Sequence, residues 1–338
     1  MNMMTNSNSL TLLTAADVAS QLVGRERDLI DLVASAYCTH ARGESRLPQS
    51  EYLRFPNMER ERIIPKAGYL GGTHPACGIK WIASFPDNVQ AGMPRASAVM
   101  ILNSVTTGRP TTVMEGSLIS GQRTAAGAAL AARLLHARPT IHCLGLIGCG
   151  PINTETLRFI RADHRPVENI YLFDLDRARV VAMQAEIMAS GFAGKITIAE
   201  QASEIMATCD LISIATSAVH PSIDSLANCQ TDATILHISL RDFTPAAVLS
   251  ADNLVDDIDH VLQANTALHV TQQQTGQRDF IRGTLADVIE GRIAPRSPGK
   301  ISLFSPFGLA ALDLAFAEFV QRQCQTAGIG LTVPNFLP

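Results

Sequence analysis

Midway along the chain runs "IHCLGLIGCGPINTETLRFIRADHRPVENIYLFDLDRARV", Ile141 to Val180, whose order of apolar, glycine-rich and helix-forming segments admits few folds. The run Ile141–Gly148 is short, apolar and closed by glycine, which predicts a strand buried on both faces of a parallel sheet. Gly148 and Gly150 then supply a G-x-G turn. The first glycine permits the turn, and the second lets the backbone approach a pyrophosphate at the N-terminus of the next helix. Asn153 stands where a third glycine is usual, so the fingerprint is incomplete. A helix is expected from Asn153 to about Ala162, followed by the apolar strand "NIYLFD", which closes on Asp174, 24 residues past Gly150. A carboxylate near that spacing accepts hydrogen bonds from the adenosine ribose hydroxyls. The competing reading makes Asp174 the N-cap of the helix "LDRARVVAMQAEIMA".

The alternation continues through "KITIAE", "EIMAT", "DLISIATS" and "ATILHISL". Strand, helix, strand order implies a doubly wound α/β unit of Rossmann type. Ligands of such sheets bind outside the carboxyl ends of the strands, which brings in "ATSAVHP" and "SLRDFTP", and with them Thr216, Ser217 and Asp242. Candidate cofactor contacts are therefore Gly148, Gly150, Pro151, Ile152, Asp174, Thr216 and Ser217. A carboxylate at 174 repels a 2′-phosphate and favours NAD. Arg177 and Arg179 stand just beyond the strand, where NADP enzymes hold that phosphate.

A chain of 338 residues, 46% hydrophobic and 17% charged, has material for two packed domains and gives no compositional case for disorder. Its net charge of −4, without a Lys/Arg run, argues against a nucleic-acid partner. Seven scattered cysteines without CxxC spacing fit neither a disulfide framework nor a zinc site, so a reducing cytoplasm is expected and no metal. No run of about 18 apolar residues suggests a membrane span. "MNMMTNSNS" lacks the features of a signal peptide and reads as a short frayed tail.

The part before the glycine turn carries isolated cations. Lys80 in "CGIKWIASFPDN" shares a strand face with Ile82, while Ile79 and Trp81 take the other. A lysine in so apolar a strand needs a partner if buried, unless it lies on an edge and snorkels to water. "MEGSLISGQRTAAGAALAARLLHAR" predicts one long helix from about Ser120 to His136 with Arg123 in its first turn, either collecting an anion or making a surface salt bridge. By spacing alone Arg54 and Arg95 read as surface charge. His74 and His237 read as structural histidines, and the acidic run "DNLVDDIDH" as solvated loop charge, because it lacks EF-hand spacing.

Taken together, "GIKWIASFPDN", "EGSLISGQRTAA", "LGLIGCGPI", "LRDFTPA" and "ISLFSPFGLAALDLAFA" resemble the ornithine cyclodeaminase and mu-crystallin family over nearly the whole chain. "RIIPKAGYLGG…GIKWIASFPDN…PRASAVMILN" is most similar to its 2,3-diaminopropionate branch, which serves siderophore and peptide natural-product pathways. The resemblance implies a Rossmann unit at 124–302 inserted into a discontinuous α+β substrate and dimerisation domain formed by 1–123 and 303–338, with substrate between them and a homodimer as the assembly. It implies an NAD-dependent dehydrogenase that oxidises a secondary amine joining a phosphoserine-derived unit to glutamate, after which water releases 2-oxoglutarate and L-2,3-diaminopropionate. It matches Lys80 and Arg123 to the family's grip on the substrate carboxylate, and Asp242 to the catalytic aspartate, although "LRDFTPAAV" lacks the glutamate of the family's "GSDxPxxxE". A substrate with three carboxylates raises Arg54 and Arg95 to candidates for a distal one. Ornithine cyclodeamination and a non-catalytic crystallin-like nucleotide-binding role are the alternatives within the same family.

Overall fold

The computed structural model describes residues 8–49, 51–163 and 165–338, so most of the segment read as a frayed tail lies outside the described residues. Two compact units are present. One holds the described residues up to Arg123 together with Leu309–Pro338, and the other is Thr124–Gly308. The sequence reading places the return at residue 303, but the structure places it at Leu309. The cause is local: Ser302–Ser305 is a buried strand paired in parallel with both Thr234–His237 and Asp252–Val255, so the sheet retains it.

The Thr124–Gly308 unit is a doubly wound α/β fold on an eight-stranded sheet. From edge to edge its strands are Lys195–Ile198, Val167–Phe173, Ile141–Ile147, Leu211–Ile214, Thr234–His237, Ser302–Ser305, Asp252–Val255 and Ile281–Thr284. Every neighbouring pair is parallel. Chain order runs outward in both directions from Ile141–Ile147, apart from Ser302–Ser305, which is inserted between Thr234–His237 and Asp252–Val255, so the sheet's switch point falls between Ile141–Ile147 and Leu211–Ile214, where a crevice opens in folds of this kind. Ile147, Ile205, Ile212, Ile235, Val248 and Leu303 form part of its core.

The acidic run differs in part from the reading as solvated charge: Asp259 is exposed, but Asp252 and Asp256 are buried. Asp252–Val255 is a buried strand, and Asp252 is paired with Arg282 at 2.6 Å. Asp256 accepts the backbone N–H groups of Phe307 and Gly308 at 2.8 and 2.7 Å, and Asp257 caps a short helix. These carboxylates replace absent backbone partners in a loop, a use that spacing does not reveal.

The other unit carries a second eight-stranded sheet, in which Met58–Leu70, Ala76–Ser84, Ala96–Asn103 and Pro110–Glu115 pair antiparallel in succession. Ala76–Ser84 is therefore internal, which removes the edge-strand reading of Lys80. Helix Ala310–Ala327 packs on the face that carries Lys80: a Cβ at Gly68, on the same face, would come within 3.3 Å of Leu314 Cδ1. The opposite face leaves Tyr69, Trp81 and Val99 at 40% exposure or more, with Trp81 and Val99 directly opposite in register.

Candidate functional site

Gly148 ends the first parallel strand at φ +92, and a Cβ there would lie 2.4 Å from the carbonyl oxygen of Ala215. Only glycine fits, for reasons of both conformation and space. At Gly150 a Cβ would meet nothing within 4 Å, so that glycine leaves open room at the start of helix Pro151–Ala162. The helix begins on Pro151 rather than Asn153, and no side chain caps it. Pro151 is exposed and Ile152 half-buried. An uncapped N-terminus beside open backbone fits a dinucleotide pyrophosphate.

Asn153 does the work of the missing third glycine differently. Fully buried, its amide donates to the carbonyls of Ile147 and Gly148 at 3.0 and 2.7 Å and accepts the Ser213 hydroxyl at 2.7 Å. It thereby pins the turn to the neighbouring strand. Asp174 accepts N–H bonds from Cys149 at 2.7 Å and Asp176 at 2.9 Å, one on each oxygen, and each oxygen keeps acceptor capacity for a ribose hydroxyl. The N-cap of the next helix is Asp176, and Arg179 pairs with it at 3.4 Å.

Asp242 is 1% exposed. Its Oδ1 accepts the Thr216 hydroxyl at 2.5 Å, and its Oδ2 accepts Ser239 and faces His237 Nε2 at 3.2 Å. The ring makes two further contacts: Nδ1 lies 3.1 Å from the Ser305 hydroxyl, and Nε2 accepts the Asp242 backbone N–H at 3.3 Å. Burial pushes His237 below its ordinary value and keeps it neutral. Burial alone would raise Asp242, but the bonds from His237, Ser239 and Thr216 outweigh it and hold the carboxyl below the usual range. Asp242 thus ties together loops at the carboxyl ends of two adjacent strands. Ser217, by contrast, is exposed.

In the other unit, Lys80 and Arg123 converge on a residue that the sequence reading does not name. Lys80 Nζ donates to Asp313 Oδ1 at 2.8 Å and to Ser120 Oγ at 3.0 Å, and Arg123 Nε donates to the same Asp313 oxygen at 3.0 Å. Arg123 is the seventh residue of helix Ser117–Leu135, not part of its first turn, where the Glu115 carboxylate caps Ser117 and Leu118. Desolvation lowers Lys80 to about 7, with Arg123 and Lys66 adding to the effect and Asp313 opposing it. Burial would raise Asp313, but Arg123, Lys80 and Lys66 hold it below the ordinary carboxylate range.

Two buried cations share one carboxylate here and Lys66 stands opposite Lys80, so positive charge is in excess. Among the described residues Arg123 uses only Nε on the protein, so its terminal nitrogens present the planar edge that suits a carboxylate. Arg54 and Arg95 are exposed, and the Arg54 guanidinium lies 5.7 Å from the Tyr52 ring centroid. His74 is exposed, 3.9 Å from Glu318. Asp313 was discoverable as the one charge in "FGLAALDLAFA", since a carboxylate in so apolar a helix needs a buried cation.

A model of the ornithine cyclodeaminase/mu-crystallin family matches residues 9–328. The N-((2S)-2-amino-2-carboxyethyl)-L-glutamate dehydrogenase of Staphylococcus aureus is 29% identical, over 97% of this chain and 99% of its own. The Δ1-pyrroline-2-carboxylate reductase of Thermococcus litoralis, solved with NADH and L-proline, shares the fold with a TM-score of 0.87 at 23% identity, over 96% of this chain and 100% of its own. An archaeal alanine dehydrogenase dimer with bound NAD superposes with a TM-score of 0.85 at 24% identity, over 96% and 99% of the two chains. The glycine turn, the buried cation pair and a match that spans both units make this chain a member of the ornithine cyclodeaminase/mu-crystallin family.

Proposed function

We propose that the protein is an NAD-dependent dehydrogenase that oxidises N-((2S)-2-amino-2-carboxyethyl)-L-glutamate and, with water, releases 2-oxoglutarate and L-2,3-diaminopropionate, a building block for siderophore or peptide assembly. The observation that carries this reading is the buried Lys80–Arg123 pair sharing one carboxylate, with positive charge in excess, a receptor for an amino-acid carboxylate. Support for the particular substrate comes from the Staphylococcus aureus relative.

Gly148, Gly150, the start of helix Pro151–Ala162 and Asp174 would hold the cofactor, which accepts a hydride when bound. Lys80 and Arg123 grip the α-carboxylate of the glutamyl part and fix the direction of its Cα–H bond. Loss of hydride leaves a cationic imine. Asp242 serves as the charge partner of that cation rather than as a free base, because it is held ionised and already accepts three hydrogen bonds. Arg54 and Arg95 are the candidates for a distal carboxylate. The second copy of a homodimer would cover the exposed sheet face of Tyr69, Trp81 and Val99.

Incubation with NAD and single substrates tests the reading. NADH should accumulate with the aminocarboxyethyl glutamate. Proline and ammonia from ornithine without net NADH would favour the cyclodeaminase reading instead, and NAD binding without any turnover the crystallin-like one.

Two further results are expected. Only the cationic form of Lys80 attracts a carboxylate, so KM for substrate should rise by up to about tenfold per pH unit above about pH 7. Lys80→Arg, which stays charged, should flatten that slope; a wild-type KM independent of pH would show that Lys80 is not in the grip. Asp174→Asn should weaken NAD binding by about tenfold, roughly the worth of one charge-assisted hydrogen bond, and narrow the preference over NADP. Unchanged affinity for both cofactors in a titration would remove Asp174 from the ribose site.

A further inference from the structure

We propose that Asp313 is the positioning residue of the carboxylate grip, holding Lys80 and Arg123 side by side so that both meet one substrate carboxylate. The proposal rests on the reading that this pair binds substrate. Its geometry is unlike that of an ordinary structural ion pair. Both donors converge on the single oxygen Oδ1, at 2.8 and 3.0 Å. The other oxygen, Oδ2, is buried with no hydrogen-bond partner among the described residues. A bidentate arrangement would satisfy both oxygens with one guanidinium and leave Lys80 apart. Convergence on one atom instead keeps the ammonium and the guanidinium nitrogen within about 6 Å of each other, close enough for one carboxylate to touch both.

The charge balance agrees. Asp313 cancels one of two buried cations, so the cluster tolerates burial while retaining attraction for one anion. The charged groups around Lys80 come from three elements: Asp313 from helix Ala310–Ala327, Arg123 from helix Ser117–Leu135, and Lys66, directly opposite in register on Met58–Leu70. Met100, opposite on the remaining neighbour strand, is uncharged. Asp313 is thus the one group of this set that favours the cationic form of Lys80.

Asp313→Asn keeps the shape and removes the charge. In the full-length protein we expect KM for the aminocarboxyethyl glutamate to rise at least about 30-fold, a typical consequence of truncating one member of a buried charged network, with kcat and NAD affinity changed far less. The midpoint of the KM-against-pH curve should also move to lower pH, which a purely structural role would not produce. Should Asp313→Asn not fold, Asp313→Glu keeps the charge but displaces the accepting oxygen by one methylene, and its KM should rise in the same direction. A wild-type KM in Asp313→Glu, or a wild-type KM and pH midpoint in Asp313→Asn, would overturn the proposal.

Binding of L-glutamate, measured by calorimetry without turnover, separates this inference from the functional one. Weakening by about tenfold or more in whichever of the two variants folds supports it, whatever the enzyme's true substrate; equal binding by that variant and the wild type, or none by either, contradicts it. Absence of NADH from the wild type with the aminocarboxyethyl glutamate would count only against the proposed function.

Discussion

Arg123→Ala is expected to lose about 10³-fold in kcat/KM for the amino-acid substrate while binding NAD as the wild type does. Truncating one partner of a buried charged contact costs on the order of 2 to 5 kcal/mol, and an interaction of about 4 kcal/mol is worth roughly 10³ in rate. The charge count explains why the loss should fall at the upper end. With Arg123 gone, Lys80 and Asp313 form a neutral pair, and the buried part of the excess charge that draws a carboxylate is lost, leaving only the half-buried Lys66. Arg123→Lys restores charge without the planar fork, so it should recover only part of the rate. Steady-state kinetics beside an NAD titration separate these effects. An Arg123→Ala enzyme within tenfold of the wild-type rate would mean that the pair is structural.

The second large effect sets two glycines against each other. Gly148→Ala forces a Cβ to 2.4 Å from a backbone oxygen and 2.9 Å from the carbonyl carbon of Ala215, at a φ of +92 that side chains rarely adopt. Neither neighbour is a flexible side chain that could move aside, so the turn itself must shift. We expect a loss of several kcal/mol, seen as a clear drop in Tm together with loss of NAD binding. Gly150→Ala should behave oppositely. Its Cβ enters open space, so Tm should stay within a few degrees, while a methyl group in the room left for a pyrophosphate weakens NAD at least about tenfold. If Gly150→Ala binds NAD normally, the open space there is not the cofactor's.

What the sequence disclosed, and what it withheld, follows from the range of the interactions involved. The doubly wound unit was legible because the parts of "LGLIGCG" are decided locally, an apolar strand and a glycine at positive φ, whereas the sequence reading places the helix start two residues late, at Asn153 instead of Pro151. The need of Lys80 for a partner was legible from its apolar neighbours. The partner's identity was not, because Asp313 lies 233 positions away and only the packing of helix Ala310–Ala327 on the sheet brings the two together. The same limit applies to Asp242: its place beyond the end of a strand was readable, its register against the family motif was not, and its saturation by Thr216, Ser239 and His237 depends on which strands lie adjacent. The domain boundary slipped by a few residues because Ser302–Ser305 reads equally well as the approach to the final helix or as one more parallel strand. Acidic residues in "DNLVDDIDH" looked solvated because spacing cannot show that Phe307 and Gly308 would need an acceptor.

The most direct measurement is mass spectrometry of the products after incubation with NAD and N-((2S)-2-amino-2-carboxyethyl)-L-glutamate, with NADH counted in the same sample. The expected result is 2-oxoglutarate and 2,3-diaminopropionate in equal amounts, each matched by one NADH. Intact substrate beside an enzyme that converts ornithine to proline with no net NADH would contradict it.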